Sequence, residues 1–249
     1  MKQQAVKQLV ERERKLLPRL GTRKIYYLIK KDLLQLELRC GRDKLFELMR
    51  HYDLQIKPRR RYVQTTMSKH WLKKWPNIIK DKCILNPDQV WVSDITYLKT
   101  EQGNCYLNMI TDAYSRKIVG YAVDDNMETE SMIRALEMAV AQKGNKQYPT
   151  IHHSDRGVQY CSKEYQALTR KNNIRLSMTE NGDPYENALA ERMNRTIKEE
   201  FGMDKPLKSK EQAKHLVKES IFLYNQRRPH LALKMKTPEQ VYTTKIPAT

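Results

Sequence analysis

The sequence lacks the patterns that mark zinc-binding, disulfide-linked and membrane-spanning proteins. Its four cysteines are scattered without a CxxC pair, and its six histidines complete no zinc-ligand spacing. No apolar stretch is long enough to cross a bilayer, and no secretory signal opens the chain. Internal repeats are also absent. We therefore expect reduced, packed thiols and a cytosolic protein without a zinc module.

Acidic residues are in short supply, because 47 Lys and Arg stand against 29 Asp and Glu, a formal net charge of +18. Residues 1–82 hold 23 of the basic residues and 8 of the acidic ones, whereas residues 83–249 hold 24 and 21. Such a balance indicates a polyanionic partner, most often nucleic acid. The asymmetry is typical of a basic binding region joined to a nearly neutral remainder, which at 39% hydrophobic residues for the whole chain can form a core.

The basic N-terminal region is predicted to form short helices. A charged helix over residues 1–17 stops at Pro18, and two further helices flank a break at Cys40–Gly41. Their apolar positions are Ile25, Leu28 and Ile29 before the break and Leu45, Leu48 and Met49 after it. Two short helices around a glycine-containing break are typical of a helix-turn-helix, although many small helical domains share the pattern.

Two basic clusters in this region are candidate DNA contacts. Arg42 and Lys44 lie on the outer face of the third predicted helix, where a phosphate backbone can be reached. The run "KPRRRYVQTTMSKHWLKKWP" (57–76) has little periodicity, and it predicts either an arm that lies along phosphates or a solvated loop. The candidate contacts of the arm are Arg59, Arg60 and Arg61.

After Pro87 the pattern changes to strands and helices. "QVWVSDITYLK" (89–99) is rich in β-branched and aromatic residues, and residues 103–123 contain two strands around the turn "DAYSR". A helix over 128–144, a fourth strand at "YPTIHHSD" and a helix over 162–174 follow. The order β-β-β-α-β-α predicts an α/β layer with a mixed sheet.

The clearest helix start lies in "NGDPYENALAERMNRTIKEEFG" (181–202). Asp183 can cap this helix, Pro184 suits its first turn, and Glu186 stands three residues after the cap. Gly202 is the predicted end, and Glu191 falls on the polar face. The remaining residues predict one more helix that runs into a proline-broken tail.

Three carboxylates stand out against this framework: Asp94 within the first strand, Asp155 just after the fourth, and Glu191. Three acids gathered together repel one another unless cations are bound, and Mg²⁺ and Mn²⁺ favour carboxylates with phosphate oxygens. Two such ions roughly 3.5–4 Å apart support in-line phosphoryl transfer. Spacing alone leaves other interpretations open, since Asp155 also suits a turn and Glu191 a surface ion pair with Arg195.

The segments "WVSDITYL", "HHSDRGVQYCSKEY", "SMTENGDPYENALAERMNRTIKEEF" and "YNQRRPHLALKMKTPEQVY" resemble DDE transposases of the insertion-sequence-three type, the second-frame products with a retroviral-integrase-like core. The resemblance implies a ribonuclease-H-like core with a mixed five-stranded sheet flanked by helices, plus an N-terminal helical domain. It implies a catalytic and metal-binding triad of Asp94, Asp155 and Glu191 with two Mg²⁺ ions, for which Mn²⁺ substitutes. The implied reaction frees a 3′-hydroxyl at a transposon end, and this hydroxyl then attacks a phosphodiester.

The same resemblance suggests an organisation and partners. We expect a helical DNA-binding domain at 1–56, a basic linker at 57–85, a catalytic core at 86–202 and a helical tail at 203–249. Double-stranded DNA is the expected substrate, as transposon ends and as target, and a homo-oligomer on DNA is the expected assembly. The resemblance also implies dependence on a first-frame product or a frameshifted fusion, and a bacterial, nucleoid-associated location.

Further residues are weaker candidates, and other functions stay open. His153 and Arg156 flank Asp155, while Asn187, Arg195 and Lys198 share the polar face of Glu191, so these five are expected near DNA. The tail residues Asn225, Arg228 and His230 match the resembled family without an evident chemical role. The alternatives are a non-catalytic DNA-binding accessory or repressor, and a ribonuclease-H-like nuclease.

Overall fold

The computed structural model describes residues 2–56, 75–80, 82–143, 148–180 and 187–244. Three helices precede a five-stranded sheet, and five more helices follow or interrupt its strands. The helices are α1 (Lys2–Leu16), α2 (Thr22–Gln35), α3 (Arg42–His51), α4 (Thr129–Gln142), α5 (Lys163–Lys171), α6 (Ala188–Glu200), α7 (Lys210–Arg227) and α8 (Pro238–Thr243). The strands are β1 (Val90–Thr100), β2 (Gly103–Asp112), β3 (Ile118–Asp124), β4 (Thr150–Ser154) and β5 (Ile174–Met178).

The sheet is mixed, with the strand order β3-β2-β1-β4-β5. Strands β1, β2 and β3 form an antiparallel meander, whereas β4 pairs with β1 in parallel and β5 pairs with β4 in parallel. The crossover through α4 therefore returns the chain to the side of β1 that the meander leaves open. This arrangement places the ends of β1 and β4 next to each other.

Helices cover both faces of the sheet. On one face, α4 and α5 pack over Trp91 and Ile110, and on the other, α6 and α7 pack over Leu98 and Leu107. Contact between α4 and β3 is close, because a Cβ added at Gly120 would lie 2.0 Å from the backbone oxygen of Ala135. A residue with a side chain at this position would force the helix away from the sheet.

The predicted strand and helix order is confirmed, with one correction. The helix predicted over 162–174 ends at Lys171, and Ile174 begins the edge strand β5. Asn173 makes the reversal with a positive φ of 52°, a conformation that asparagine tolerates. The fifth strand expected from the resemblance is therefore β5, and its first residue falls within the range predicted to be helical.

Helix α6 ends as expected but is described only from Ala188. Gly202 has a φ of 77°, and the amide of Met203 donates to the carbonyl of Lys198 at 2.8 Å, so the glycine ends the helix in a left-handed turn. The predicted cap residues Asp183, Pro184 and Glu186 lie outside the described residues.

The N-terminal helices pack against the C-terminal part of the chain. Residues of α1 to α3, among them Val10 and Ile25, belong to the same apolar cluster as Leu98 of β1 and Tyr224 of α7. Glu13 of α1 is 1% exposed and accepts hydrogen bonds from Arg227 at 2.9 and 3.1 Å. The boundaries predicted for the four regions stay predictions, and the described helices include none that is long and apolar enough to cross a membrane.

The tail residues hold the sheet and its helices together. The amide of Asn225 makes two hydrogen bonds with the backbone of Ile118, at 3.0 Å to its N–H and 2.9 Å to its carbonyl. In α8, the hydroxyl of Tyr242 donates to the carboxylate of Asp88, which is fully buried just before β1. The tail is therefore part of the packed structure around the sheet.

Candidate active site

Strand pairing brings Asp94 of the interior strand β1 next to Asp155, which directly follows the neighbouring interior strand β4. In the parallel pair β1–β4, Ser93 lies opposite Ser154, so that the next residue of each chain segment is one of the two aspartates. Strand β4 ends at Ser154, and Asp155 begins the loop that leads to a short helical turn at Val158–Cys161. The two carboxyl groups therefore project from neighbouring segments, although sixty residues of chain separate them.

Helix α6 and the residue that precedes it are fastened along β1 by polar side chains at helical spacing. The amide of Asn187 donates to the carbonyl of Ser93 at 3.0 Å, and that of Asn194 donates to the carboxylate of Asp94 at 2.8 Å. One turn further on, the ammonium of Lys198 donates to the carbonyl of Tyr97 at 2.9 Å. Glu191 falls between the two asparagines on this face and is thereby held beside Asp94.

The three carboxyl groups influence one another electrostatically. Burial and the charges of Asp155 and Glu191 together raise the pKa of Asp94 to about 7, although the hydrogen bonds from Asn194 and the Ile95 amide act in the opposite direction. The pKa of Glu191 is also raised, by burial and by Asp155, while the nearby Arg195 acts against this. The site is therefore a cluster of acids that resist being charged together.

Such a cluster suits a hard divalent cation, because its donors are carboxylate oxygens and because a cation removes the repulsion. Within the described ranges, no three acidic, histidine or cysteine side chains are gathered as closely as the ligands of one ion. Glu191 is exposed, whereas Asp94 is held by Asn194 and the loop holds Asp155. Two of the carboxyl groups are thus fixed in place and the third lies at the surface beside them.

The loop after β4 explains how Asp155 is held. Its carboxylate accepts a hydrogen bond from the amide of Gly157 at 3.1 Å, so the turn-forming role considered from sequence is present together with the clustering. The hydroxyl of Tyr160 bonds to that of Ser93 at 3.0 Å, which joins this loop to β1. Burial and the charge of Asp155 raise the pKa of Tyr160 well above its ordinary value, so this hydroxyl stays protonated.

The residues expected to contact DNA lie in different environments. His153 is buried and bonds to Ser177 at 2.9 Å, and Arg156 donates to the carbonyl of Thr179 at 2.7 Å. Arg195 is exposed on α6, near the carboxylate of Glu191. Asn187 and Lys198 form hydrogen bonds to β1. DNA contact stays a prediction for all five residues.

The N-terminal candidates are less informative about the site. Arg42 and Lys44 are exposed at the start of α3, where Arg42 pairs with Asp43 at 2.8 Å. Arg59, Arg60 and Arg61 lie outside the described residues.

Asn194 lies on the same face of α6 as Glu191 but is not among the site residues predicted from the sequence. Its bond to Asp94 makes it part of the site, and its other amide atom, Oδ1, is buried without a hydrogen-bond partner, as is Oδ1 of Asn187. The available signal was its position three residues after Glu191. A cavity of about 350 Å³ adjoins the start of this helix and is lined by Lys82, Arg116 and Asn187 among others.

Comparison with protein families and curated proteins gives consistent matches. Profiles of the integrase core domain match residues 85–184 and 172–238. The chain is 34% identical to the insertion element IS600 uncharacterized 31 kDa protein of Shigella sonnei, over 86% of this chain and 77% of that protein. It is also 34% identical to the transposase for insertion sequence element IS904 of Lactococcus lactis and to transposase InsF for insertion sequence IS3fB of Escherichia coli, over 61% of this chain in each case. These two alignments span 60% and 53% of the respective relatives.

Solved structures share the fold. The catalytic core domain of HTLV-2 integrase, determined in complex with magnesium, superposes with a TM-score of 0.51 at 20% identity, over 64% of this chain and 98% of that one. A chain of the simian T-cell lymphotropic virus intasome, determined in complex with the PP2A regulatory subunit B56 gamma, gives a TM-score of 0.57 at 18% identity, over 92% of this chain and 77% of that one. The mixed five-stranded sheet flanked by helices is therefore an integrase-type, ribonuclease-H-like core.

Proposed function

The chain belongs to the integrase-core transposases of the insertion-sequence-three type, and on that premise we propose that it cuts and joins DNA strands at the ends of an insertion sequence. The observation that carries the proposal is the coupling of three acids from separate elements: Asp155 and Glu191 raise the pKa of Asp94, and Asp155 also raises the pKa of Glu191. A DNA-binding accessory protein has no use for such a cluster, because grouped acids repel phosphates.

Asp94, Asp155 and Glu191 are the residues that would hold two Mg²⁺ ions, with Mn²⁺ as a substitute. The chemistry supplied by such a pair when bound is activation of an attacking oxygen and stabilisation of a leaving one. Asn194 keeps Asp94 oriented toward the site, and the Gly157 amide does the same for Asp155. Glu191, which lies exposed beside these two aspartates, would complete the set.

The proposed reaction has two transfers at phosphorus. In the first, water attacks a phosphodiester at the end of the element, a new P–O bond forms, and the 3′ oxygen of the released strand departs as a hydroxyl. In the second, that 3′ oxygen attacks another phosphodiester and displaces a different 3′ oxygen, so that strands are exchanged without a covalent enzyme intermediate. No oxidant or energy source is consumed in either step.

The substrates and partners follow from the same proposal. Transposon ends and target DNA would be bound by the basic N-terminal region, including Arg42, Lys44 and the run Arg59–Arg61, and by residues near the site such as His153, Arg156, Asn187, Arg195 and Lys198. Two ends must be brought together, which requires a homo-oligomer on DNA, and the first-frame product or a fusion with it would complete the assembly. A DNA-bound enzyme of this kind would lie at the bacterial nucleoid.

A strand-transfer assay with labelled duplexes that carry the ends of the element tests the proposal. Glu191→Gln should reduce Mg²⁺-dependent cleavage and joining by about 100-fold or more, since several kcal/mol of transition-state stabilisation depend on the bound ions. Glu199→Gln, two turns along the same helix, is the matched control and should retain activity. If Glu191→Gln joins ends as the unaltered protein does, the proposed mechanism is wrong.

A further inference from the structure

The side chains of the tail residues Tyr224, Arg228 and His230 pack together at the end of α7, and we call them the tail cluster. Arg228 is buried and uses its Nε and Nη2 atoms to bind Glu200 at 2.7 and 2.5 Å. Its Nη1 atom lies 2.9 Å from Nε2 of His230. A guanidinium only donates hydrogen bonds, so the imidazole nitrogen must accept, and His230 is neutral. Burial and the neighbouring cations lower the pKa of His230 to about 2, in agreement with this assignment.

Basic side chains from other elements lie near this tail cluster. The charges of Lys24 in α2 and Arg116 in the turn between β2 and β3 act on His230, and Arg192 of α6 in turn acts on Arg116. The carbonyl of Arg116 accepts a hydrogen bond from Tyr224 at 3.1 Å, and the Tyr224 ring lies 5.2 Å from that of His230. The turn that contains Arg116 is therefore held against the tail cluster. We use the name cation cluster for Lys24, Arg116 and Arg192 together with the tail cluster.

The carboxylates beside the cation cluster are already engaged. Glu200 is bound by Arg228, and Asp112 accepts hydrogen bonds from the amide and hydroxyl of Ser115. Lys24 and Arg116 are both partly buried, and nowhere in the described parts of the chain does a residue accept a hydrogen bond from either side chain. Burial and the charge of Arg228 lower the pKa of Lys24 to about 8, while the charge of Glu200 acts against them, as that of Asp112 does at Arg116. The cluster therefore holds positive charge that its own neighbours compensate only in part.

Partly buried cations without a hydrogen-bonded anionic partner cost folding free energy, because each loses more hydration than a distant counter-charge restores. A phosphate supplies that counter-charge and accepts several hydrogen bonds at once. Arg116 also lines the cavity at the start of α6, together with Asn187 and Leu189. The cation cluster thus extends from the neighbourhood of Glu191 to the N-terminal helices.

We infer that the cation cluster binds the phosphate backbone of a DNA strand through Lys24 and Arg116, which both lie near the Arg228–His230 pair. The inference rests on the proposed function and adds to it the path of the DNA between the three carboxylates and α2. Arg228 and His230 position this surface, while Lys24 and Arg116 contact the phosphates. This gives the tail motif a role in DNA binding that the family resemblance by itself does not supply.

The test is the salt dependence of DNA binding by the full chain, measured by fluorescence anisotropy with a labelled duplex of arbitrary sequence. The variant Lys24→Gln/Arg116→Gln should lower affinity several-fold at moderate salt, and the slope of log K against log salt should become shallower by about 1 to 2, because each phosphate that is no longer neutralised reduces it by about one unit. The matched control is Lys163→Gln/Lys171→Gln, which removes the same charge from α5 on the opposite face of the sheet. Its slope should stay near that of the unaltered protein.

Thermal unfolding separates this role from a purely structural one. Removal of two cations that make no side-chain hydrogen bond within the described residues should leave the Tm unchanged or raise it, whereas a structural role for these side chains would make the same variant less stable. An unaltered slope in the Lys24/Arg116 variant, or an equal change in the α5 control, overturns the inference. Metal-dependent strand transfer by the unaltered protein is measured alongside, so that failure of the cation cluster is distinguished from failure of the proposed function.

Discussion

Asn194 and Asp94 are 100 residues apart in the chain, and the amide of Asn194 donates a hydrogen bond of 2.8 Å to the carboxylate of Asp94. This bond fixes α6 against β1 at the position where the helix also presents Glu191. It stabilises the charged form of Asp94 against burial and against the neighbouring acids, both of which favour the neutral form. Asn194 is thus a positioning residue for the candidate site.

Replacement of Asn194 should therefore shift the pH dependence of activity. Asn194→Ala removes the donor, so the pKa of Asp94 rises further and the acidic limb of the pH–rate profile should move to higher pH, with activity about 10-fold lower near neutrality. The measurement is Mg²⁺-dependent strand transfer between pH 6 and 9. Thr196→Ala, in the same helix, should leave the profile in place; a uniform loss at every pH in the Asn194 variant would contradict the explanation.

The raised pKa of Asp94 also affects stability without metal. The unfolded carboxyl ionises near 3.8 and the native one near 7, so its contribution to stability is present below pH 3.8 and is lost as the pH rises through 7. Asp94→Asn removes this loss and should stabilise the metal-free protein at pH 8 by on the order of 2 kcal/mol. Urea unfolding in EDTA measures the change. Glu101→Gln, at an exposed position, should leave stability unaltered at pH 8, and destabilisation by Asp94→Asn at that pH would refute the reasoning.

His152 should make the protein sensitive to acid. Its ring is fully buried between Tyr160 and Tyr165, and burial lowers its pKa to about 3. The unfolded chain binds a proton below pH 6.5 that the native state refuses, so stability is lost as the pH falls from 6.5 toward 3, at about 1.4 kcal/mol per pH unit. His152→Phe should make the slope in urea unfolding between pH 4 and 6.5 shallower by about that amount, and the partly buried His230 accounts for a similar slope that stays. His215→Phe, exposed on α7, is the control, and equal slopes in both variants would contradict the assignment.

Glu13 should anchor the N-terminal helices. It is 1% exposed and paired with Arg227 of α7, while the arginine is partly exposed, so loss of the carboxylate leaves a cation that water can still reach. Glu13→Gln should cost about 1 to 2 kcal/mol of unfolding free energy. Glu11→Gln breaks a surface pair with Lys7 and should cost under about 0.5 kcal/mol. Equal losses of unfolding free energy in the two variants would show that α1 does not pack against α7 in solution.

Much of the site was predictable because its signals are local. An aspartate within an aromatic strand, another directly after a strand and a glutamate on a polar helix face are visible in the sequence, and a crossover connection brings the two strands together. The fold order followed from the same patterns. The start of β5 was missed because the helix pattern of α5 continues into Asn172 and Asn173 without a glycine or proline to stop it.

Long-range pairings carry no such local signal. Asn225 bonds to the backbone of Ile118, 107 residues away, and Arg228 to Glu200, and nothing near either residue in the sequence indicates its partner. Lys24 and Arg116 likewise give no indication of their shared surroundings, because these arise only when α2 packs beside the tail. From sequence alone, the polar face of α6 is equally compatible with contact to solvent and contact to a ligand. Only the packed structure shows that Asn187 and Lys198 form hydrogen bonds to β1.

Binding of Mn²⁺ to the metal-free protein at pH 8, followed by electron paramagnetic resonance, tests most directly whether the three carboxylates share divalent cations. The unaltered chain should take up two ions, and Asp94→Asn and Asp155→Asn should each weaken uptake by about tenfold or more. Glu101→Gln should bind as the unaltered chain does. Identical Mn²⁺ uptake by all four proteins would show that the acids do not form a metal site and would contradict the account.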